Sequence, residues 1–291
     1  MTQSYVERAP RAELAGVVRT VWIQRTGAEP YVQRHVPTGG VELHFPIGGR
    51  PRLLGPLTGA NIEVIPADTT LVGVRFHPGA APALPTVLDE LVDQRVSLSD
   101  VWGSAAERLA EAVAVAPTPE AALGVVQEHL LWTFREARHV DRLVAEAVRL
   151  LLPWHPVGVG SVAAHLAISS SQLRRRCLHA VGLGPKTLQR TLRFQGFLAL
   201  AQARAGASDR AATGVSTGVG VDRYGGNGLA GLAIAAGYAD HAHLSRECLS
   251  LTGLSPRSVL VGGEDQCACG HDHAASYRPF LATRAVAPSR Q

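Results

Sequence analysis

Two stretches of this chain, 71 residues apart, are copies of one another. Leu173-Arg174-Arg175-Arg176-Cys177-Leu178-His179-Ala180-Val181-Gly182-Leu183-Gly184-Pro185 aligns with Leu244-Ser245-Arg246-Glu247-Cys248-Leu249-Ser250-Leu251-Thr252-Gly253-Leu254-Ser255-Pro256, and Leu, Arg, Cys, Leu, Gly, Leu and Pro coincide at seven of thirteen positions. Chance does not supply that level of identity, so a duplicated unit is expected. Ser169 and Gln172 have capping-box spacing and start a helix. Gly182 is placed to end it in a left-handed turn. At 100° per residue Leu173, Cys177, Ala180 and Val181 share one face. Ser171, Gln172, Arg175 and His179 lie on the other, flanked by Arg174 and Arg176. Upstream, Ser161–Leu166 is a short Ala-rich helix and 167–169 a tight turn. The second copy repeats the layout: a helix over Leu229–Ala236, a turn at Gly237-Tyr238, and a helix over Ala239–Thr252. Its Leu244, Cys248 and Leu251 face inward, and Ala242, His243, Arg246 and Ser250 face outward. A short helix, a turn and a second helix with basic residues outward is a helix-turn-helix. Such a unit sets its second helix in a major groove. The bland alternative is a helical bundle with a solvated basic face.

Charge favours the first reading. Residues 1–153 carry 14 Arg and 17 Asp or Glu, a net −3, whereas residues 154–260 carry 11 Lys or Arg and 4 Asp or Glu, a net +7. An acidic front joined to a basic rear points to a polyanion partner for the rear. The chain has 291 residues, 46% of them hydrophobic and 18% charged. That is enough for two packed units and too apolar for global disorder. No stretch is apolar for the ~18 residues a membrane span needs, and no signal peptide opens the chain. A cytoplasmic protein with no membrane partner is expected.

The front reads as β from residue 14 to 76. Strands are expected over 17–24, 31–36, 41–45, 52–54, 61–65 and 70–76, separated by Pro and Gly clusters, as in a small barrel or sandwich. Helices follow: one over 100–115 capped by Ser99, and a periodic stretch over 120–152 divided near Arg138-His139. The fold class is therefore α+β, a small β-barrel or sandwich with helices followed by an all-α unit. The boundaries are 1–153 for a sensor or dimerisation domain, 154–260 for the helical domain, and 261–291 for a mostly irregular tail. Ala205–Gly228, rich in Gly, Ala, Ser and Thr, reads as a flexible loop. The 120–152 stretch offers apolar surface for a partner, such as a second copy in a homodimer.

The rear hundred residues resemble the AraC/XylS-type transcription regulators. Their pattern Leu-x-Arg-x-Phe-x4-Gly-x-Ser-Pro appears as Leu173, Arg175, Cys177, Gly182, Pro185 and again as Leu244, Arg246, Cys248, Gly253, Ser255, Pro256. Residues 184–195 resemble the start of the family's joining helix, and 232–244 its second-unit signature. The front resembles the sensor-like domain of a subset of actinobacterial members, through 72–79 and 99–103. The resemblance implies two DNA-reading subdomains on a long helix, with double-stranded DNA and RNA polymerase as partners, a small-molecule effector, and activation of transcription. It places base-reading positions at Ser171, Arg174 and Arg175, and at His241, Ala242 and Arg246. Arg pairs bidentately with guanine. Gln172 and His243 lie on the same faces. Arg176, Lys186, Arg190 and Arg193 suit phosphate contacts, which position without specifying. Three features depart from the family: Cys177 and Cys248 where an aromatic is usual, Gly196 inside the joining helix, and the length of 205–228.

Two clusters suggest further chemistry. Cys267, Cys269, His271 and His273 offer thiolate and imidazole, the ligands zinc prefers. Their alternate spacing spreads them over about 20 Å when extended, so two or three would ligate, with His241, His243 or another protomer completing the site. A thiol redox switch or an unstructured tail are the alternatives. A metal- or thiol-responsive regulator would use this cluster as its switch. In the front, Glu42 and His44 alternate on one strand face with His35 and His77 nearby in sequence. In a cupin-like barrel these would hold a metal, and the chain would be a metalloenzyme with an appended helical domain. The alternative is a barrel with ordinary polar residues, some at the mouth of a ligand pocket, and a ligand-binding or dimerising role without catalysis fits better, given the apolar surface of 120–152.

Overall fold

The computed structural model describes residues 3–81, 84, 87–136, 140–155, 157–211, 228–261 and 274–286. The front unit is built from eight strands: β1 (Ser4–Arg8), β2 (Val18–Arg25), β3 (Tyr31–His35), β4 (Glu42–Pro46), β5 (Arg52–Leu54), β6 (Asn61–Ile65), β7 (Thr70–Phe76) and β8 (Arg95–Ser97). Six form an antiparallel sheet in the order β1-β2-β7-β4-β5-β8, and β3 pairs with β6 alone. Of the barrel or sandwich expected, the closed barrel is not formed: the large sheet is open, with the β3–β6 pair as a separate second sheet. Strands β1 and β8 escape sequence reading: Tyr5-Val6-Glu7 is short and charged, and β8 is only three residues long.

Alternation along each strand divides the large sheet into two chemically different faces. Val21, Ile23, Leu43, Phe45, Leu53, Val72 and Val74 point to one side and are buried. Three helices cover that side: α1 (Leu98–Trp102), α2 (Ser104–Ala114) and α3 (Pro119–Glu136). Ala106, Leu109, Val113, Leu123, Val126 and Leu130 complete this core. The single helix expected over 100–115 is broken at Gly103, whose φ is 57°, and its cap is Ser97 rather than Ser99. The Ser97 hydroxyl accepts from the Ser99 N–H.

The rear core comprises α4 (Arg142–Leu150), α5 (Val159–His165), α6 (Ser170–Val181), α7 (Pro185–Ala211), α8 (Gly228–Ala235), α9 (His241–Thr252) and α10 (Pro256–Val261), joined by α11 (Ala274–Val286). Helix α4, capped by the Asp141 carboxylate, buries Val144, Ala147 and Leu150 in this core, ahead of the boundary placed at 153. The periodic stretch 120–152 thus spends its apolar faces in two cores. Helix α7 continues through Ala211, so the first seven residues of the segment read as a loop are helical; 212–227 lie outside the described residues. Gly196 is explained by packing, since a Cβ there would stand 2.5 Å from the Pro153 ring. No helix among the described residues is long and apolar enough to cross a membrane.

The tail is the largest correction. Residues 274–286, read as irregular, form α11, which lies against α7, β1 and β2. Its pattern was obscured by Pro279 within it. Phe280 is buried edge-on against Trp154. The Arg19 guanidinium stacks on the rings of Tyr277 and Phe280. Removing the Phe280 ring leaves a cavity under a buried cation, so Phe280→Ala should lower unfolding free energy by about 3–5 kcal/mol in a urea titration. A loss below ~0.5 kcal/mol would mean α11 does not dock.

Candidate nucleic-acid interface and a polar chamber

Both duplicated units form as helix pairs, α5 with α6 and α8 with α9. Ser169 and Gln172 make a full capping box: the Ser169 hydroxyl accepts from Gln172 N–H at 3.1 Å, and Gln172 Oε1 accepts from Ser169 N–H at 2.9 Å. Asp240 caps α9 by accepting from His243 N–H at 2.6 Å. Gly182 and Gly253 end the two helices in left-handed turns, φ 79° and 73°. Leu173, Cys177 and Val181 are buried, as are Leu244, Cys248 and Leu251. Burial pushes the two thiols up, to about 11 at Cys177 and about 12 at Cys248. Both are packing residues rather than reactive ones.

The outward residues fall into two groups. Ser171, Arg174, Arg175, His179, Lys186, His241, Ala242 and Arg246 are exposed. Arg174, Arg175 and Arg246 make no hydrogen bond or ion pair with another described residue. The others are engaged. Gln172 is held in its capping box. Arg176 pairs with Asp141 at 2.6 Å, and Arg190 with Glu247 at 2.8 Å and the Ser250 hydroxyl. Arg193 lies over the Tyr238 ring, and His243 packs edge-on against the same ring. Glu247 and Asp240, the acids nearest Arg246 in sequence, are thus spent on Arg190 and the α9 cap. Cys267, Cys269, His271 and His273 lie outside the described residues.

The front unit borders this surface. A cavity of about 470 Å³ opens between Val87 and Asp89 on one side and Ser171, Arg174, Arg175, Leu178 and His179 of α6 on the other. Beside it a Cβ on Gly182 would meet the Leu88 carbonyl at 2.6 Å and the Pro56 ring at 2.8 Å. At the second unit, Arg34 of β3 donates to the Thr252 carbonyl at the end of α9.

The second face of the large sheet is polar and is roofed by β3 and β6. Register places His44 opposite Gly73 and Arg52, and Glu42 opposite Arg75 and Leu54. Trp22 lies across Gly73, where any Cβ would strike the indole at 2.0 Å. From the roof, His35 and Glu63 point inward, 3.0 Å apart. Arg95 and Arg52 both contact the Glu63 carboxylate. Arg75 pairs with Glu42 at 2.8 Å and with Glu7 at 3.1 Å. Burial alone would raise the Glu42 carboxyl, but Arg75 and His44 hold it well below the usual range. Glu63, against the same opposing burial, is lowered to about 2 by His35 and Arg95. Sequence reading found Glu42, His44 and His35 but expected His77, which stands apart with its imidazole pushed down to about 4 by burial and Arg19. Glu63, Arg75, Arg95 and Trp22 were missed; a local signal existed only for Glu63, which alternates with Asn61 between Ile62 and Val64 on β6.

Residues 6–97 match the model of a domain of unknown function, DUF6597. No curated protein matches. Among solved structures the chain is similar to ToxT from Vibrio cholerae O395, at 9% identity over 90% of this chain and 98% of that one, with a TM-score of 0.40. It is also similar to the 1.65 Å P21 form of ToxT from Vibrio cholerae, at 11% identity over 89% and 97%, with a TM-score of 0.39. Unsaturated-fatty-acid-bound wild-type ToxT from Vibrio cholerae strain SCE256 gives 10%, 89%, 94% and 0.39.

The caps are separable from the exposed arginine face. Ser169→Ala and Asp240→Ala should each cost about 1 kcal/mol of stability, whereas Arg175→Ala and Arg246→Ala, being exposed and unpaired, should stay within ~0.5 kcal/mol. Denaturant midpoints decide this, and a large loss at either arginine would show that it packs.

Proposed function

We infer that the protein is a sequence-specific DNA-binding transcription regulator of the AraC/XylS type, without catalysis. One observation carries the reading. Two helices built to one capped pattern turn Leu and Cys inward and present an arginine at the same repeat position, Arg175 and Arg246, to solvent without a partner. An exposed helical fork of donors in a unit of net +7 is matched to guanine edges in a major groove. Ser171, Arg174, His241 and Ala242 flank these arginines as further base-reading positions. Lys186 suits a phosphate; Arg176 and Arg190 would first have to leave Asp141 and Glu247. Helix α7 packs against α6, α8 and α9 and would hold the two reading units on one duplex. The front unit would receive the signal, and RNA polymerase would be the output partner.

The test is an electrophoretic shift with the DNA upstream of the protein's own gene. Arg175→Ala and Arg246→Ala should each weaken binding about 5- to 150-fold, the equivalent of roughly 1–3 kcal/mol per bidentate contact. Arg108→Ala, exposed on α2, should leave it unchanged. Wild-type affinity in both α6 and α9 variants would remove this reading.

A further inference from the structure

The geometry points to a divalent transition-metal site in the front unit, formed by His35, His44 and Glu63, with Glu42 beside His44. One ring nitrogen from each histidine and a carboxylate oxygen of Glu63 lie within 4.8 Å of one another. The two rings are 5.2 Å apart, centre to centre. His44 Nε2 is 3.5 Å from Glu42 Oε2. A tetrahedral ion with bonds of about 2.0–2.2 Å needs donor separations of roughly 3.4 Å. Small side-chain rotations close the group from its present spacing.

The second, independent observation is His44 itself. Its side chain is 4% exposed, and its Nε2 makes no hydrogen bond of ordinary geometry, the Glu42 Oε2 contact being long at 3.5 Å. A buried polar atom left unpaired costs about 1–3 kcal/mol. Here it faces two carboxylates and another imidazole, the donor set that zinc, iron, nickel and cobalt accept.

The surroundings fit a ligand shell. Two buried carboxylates, Glu7 and Glu42, and the partly buried Glu63 face Arg75 and Arg95, while Arg52 is half exposed and the Arg19 head turns away to Ser276 and Gln195. Arg75 holds Glu42 by both oxygens, Nε to Oε1 at 2.8 Å and Nη2 to Oε2 at 3.3 Å, and so fixes the carboxylate beside His44. Arg52 holds Glu63 by Oε1 while its Oε2 faces His35. Outer hydrogen bonds of this kind orient ligating carboxylates. Arg95 also contacts Glu63 Oε2 and would have to move aside for an ion to bind there. Trp22, with its ring 5.0 Å from that of His44, is a built-in optical reporter.

The site does not depend on the DNA-binding reading. The experiment uses the full chain carrying Cys267→Ser, Cys269→Ser, His271→Ala and His273→Ala, so that the tail contributes no ligands. Cobalt(II) is added and excess removed by gel filtration. One equivalent should be retained, with visible d–d absorption and quenched tryptophan emission that Trp22→Phe largely abolishes. His44→Gln and, separately, His35→Gln should weaken uptake at least about tenfold, with circular dichroism unchanged; His77→Asn should have no effect. Substoichiometric cobalt in the parent overturns the proposal. So does full retention in both histidine variants.

Discussion

Arg75 is the interaction on which the arrangement of this molecule turns. It lies on β7 with its side chain 15% exposed, pairs with Glu42 of β4 and Glu7 of β1, and donates to the Ser276 hydroxyl of α11. Ser276 closes the circuit by donating its backbone N–H to Glu7 and accepting from Arg19 at its carbonyl. A buried guanidinium is tolerable only when its charge and donors are met. Here the partners come from two other strands and from a helix some two hundred residues further along the chain. The polar face of the sheet, its coverage by α11, and the docking of α11 on α7 are thus one electrostatic unit. Gln195 extends it into the joining helix by accepting from Arg19 and donating to the Pro37 carbonyl.

What the sequence discloses follows the range of the interactions involved. Caps, turns and periodic faces are local, and Ser169, Gln172, Gly182 and Gly253 could be assigned from spacing alone. The middle strands were legible for the same reason. Long-range pairings were not. The partners of Arg75 are 33, 68 and 201 positions away, and no local pattern announces them. Strand β1 is invisible without β2 beside it. Helix α11 exists because Ser276 and Phe280 find a prepared surface, not because its own residues favour a helix; Pro279 argues against one. The chamber was half legible: Glu42 and His44 share a strand face by simple alternation, but Glu63 joins them only through the β3–β6 roof.

The same distinction separates the arginines. A helical wheel marks outward positions but not whether an outward side chain is already taken. Arg176 and Arg190 looked as available as Arg175, yet tertiary packing brings Asp141 and Glu247 to them. Those ion pairs are partly exposed and weak individually, and they tie α6 to α4 and α7 to α9. Some basic residues of the units are therefore spent on holding the helices together, while others stay exposed.

The seam at Gly182 has a consequence for modularity. The end of α6 is walled by the Leu88 carbonyl and the Pro56 ring, close enough that even a methyl group is excluded, and the start of the rear core is supplied by α4. The two halves are therefore not beads on a string that could be recombined freely with other heads or tails. Any exchange between related chains would have to carry both sides of this joint together, so covariation is expected to run across it more strongly than along either half.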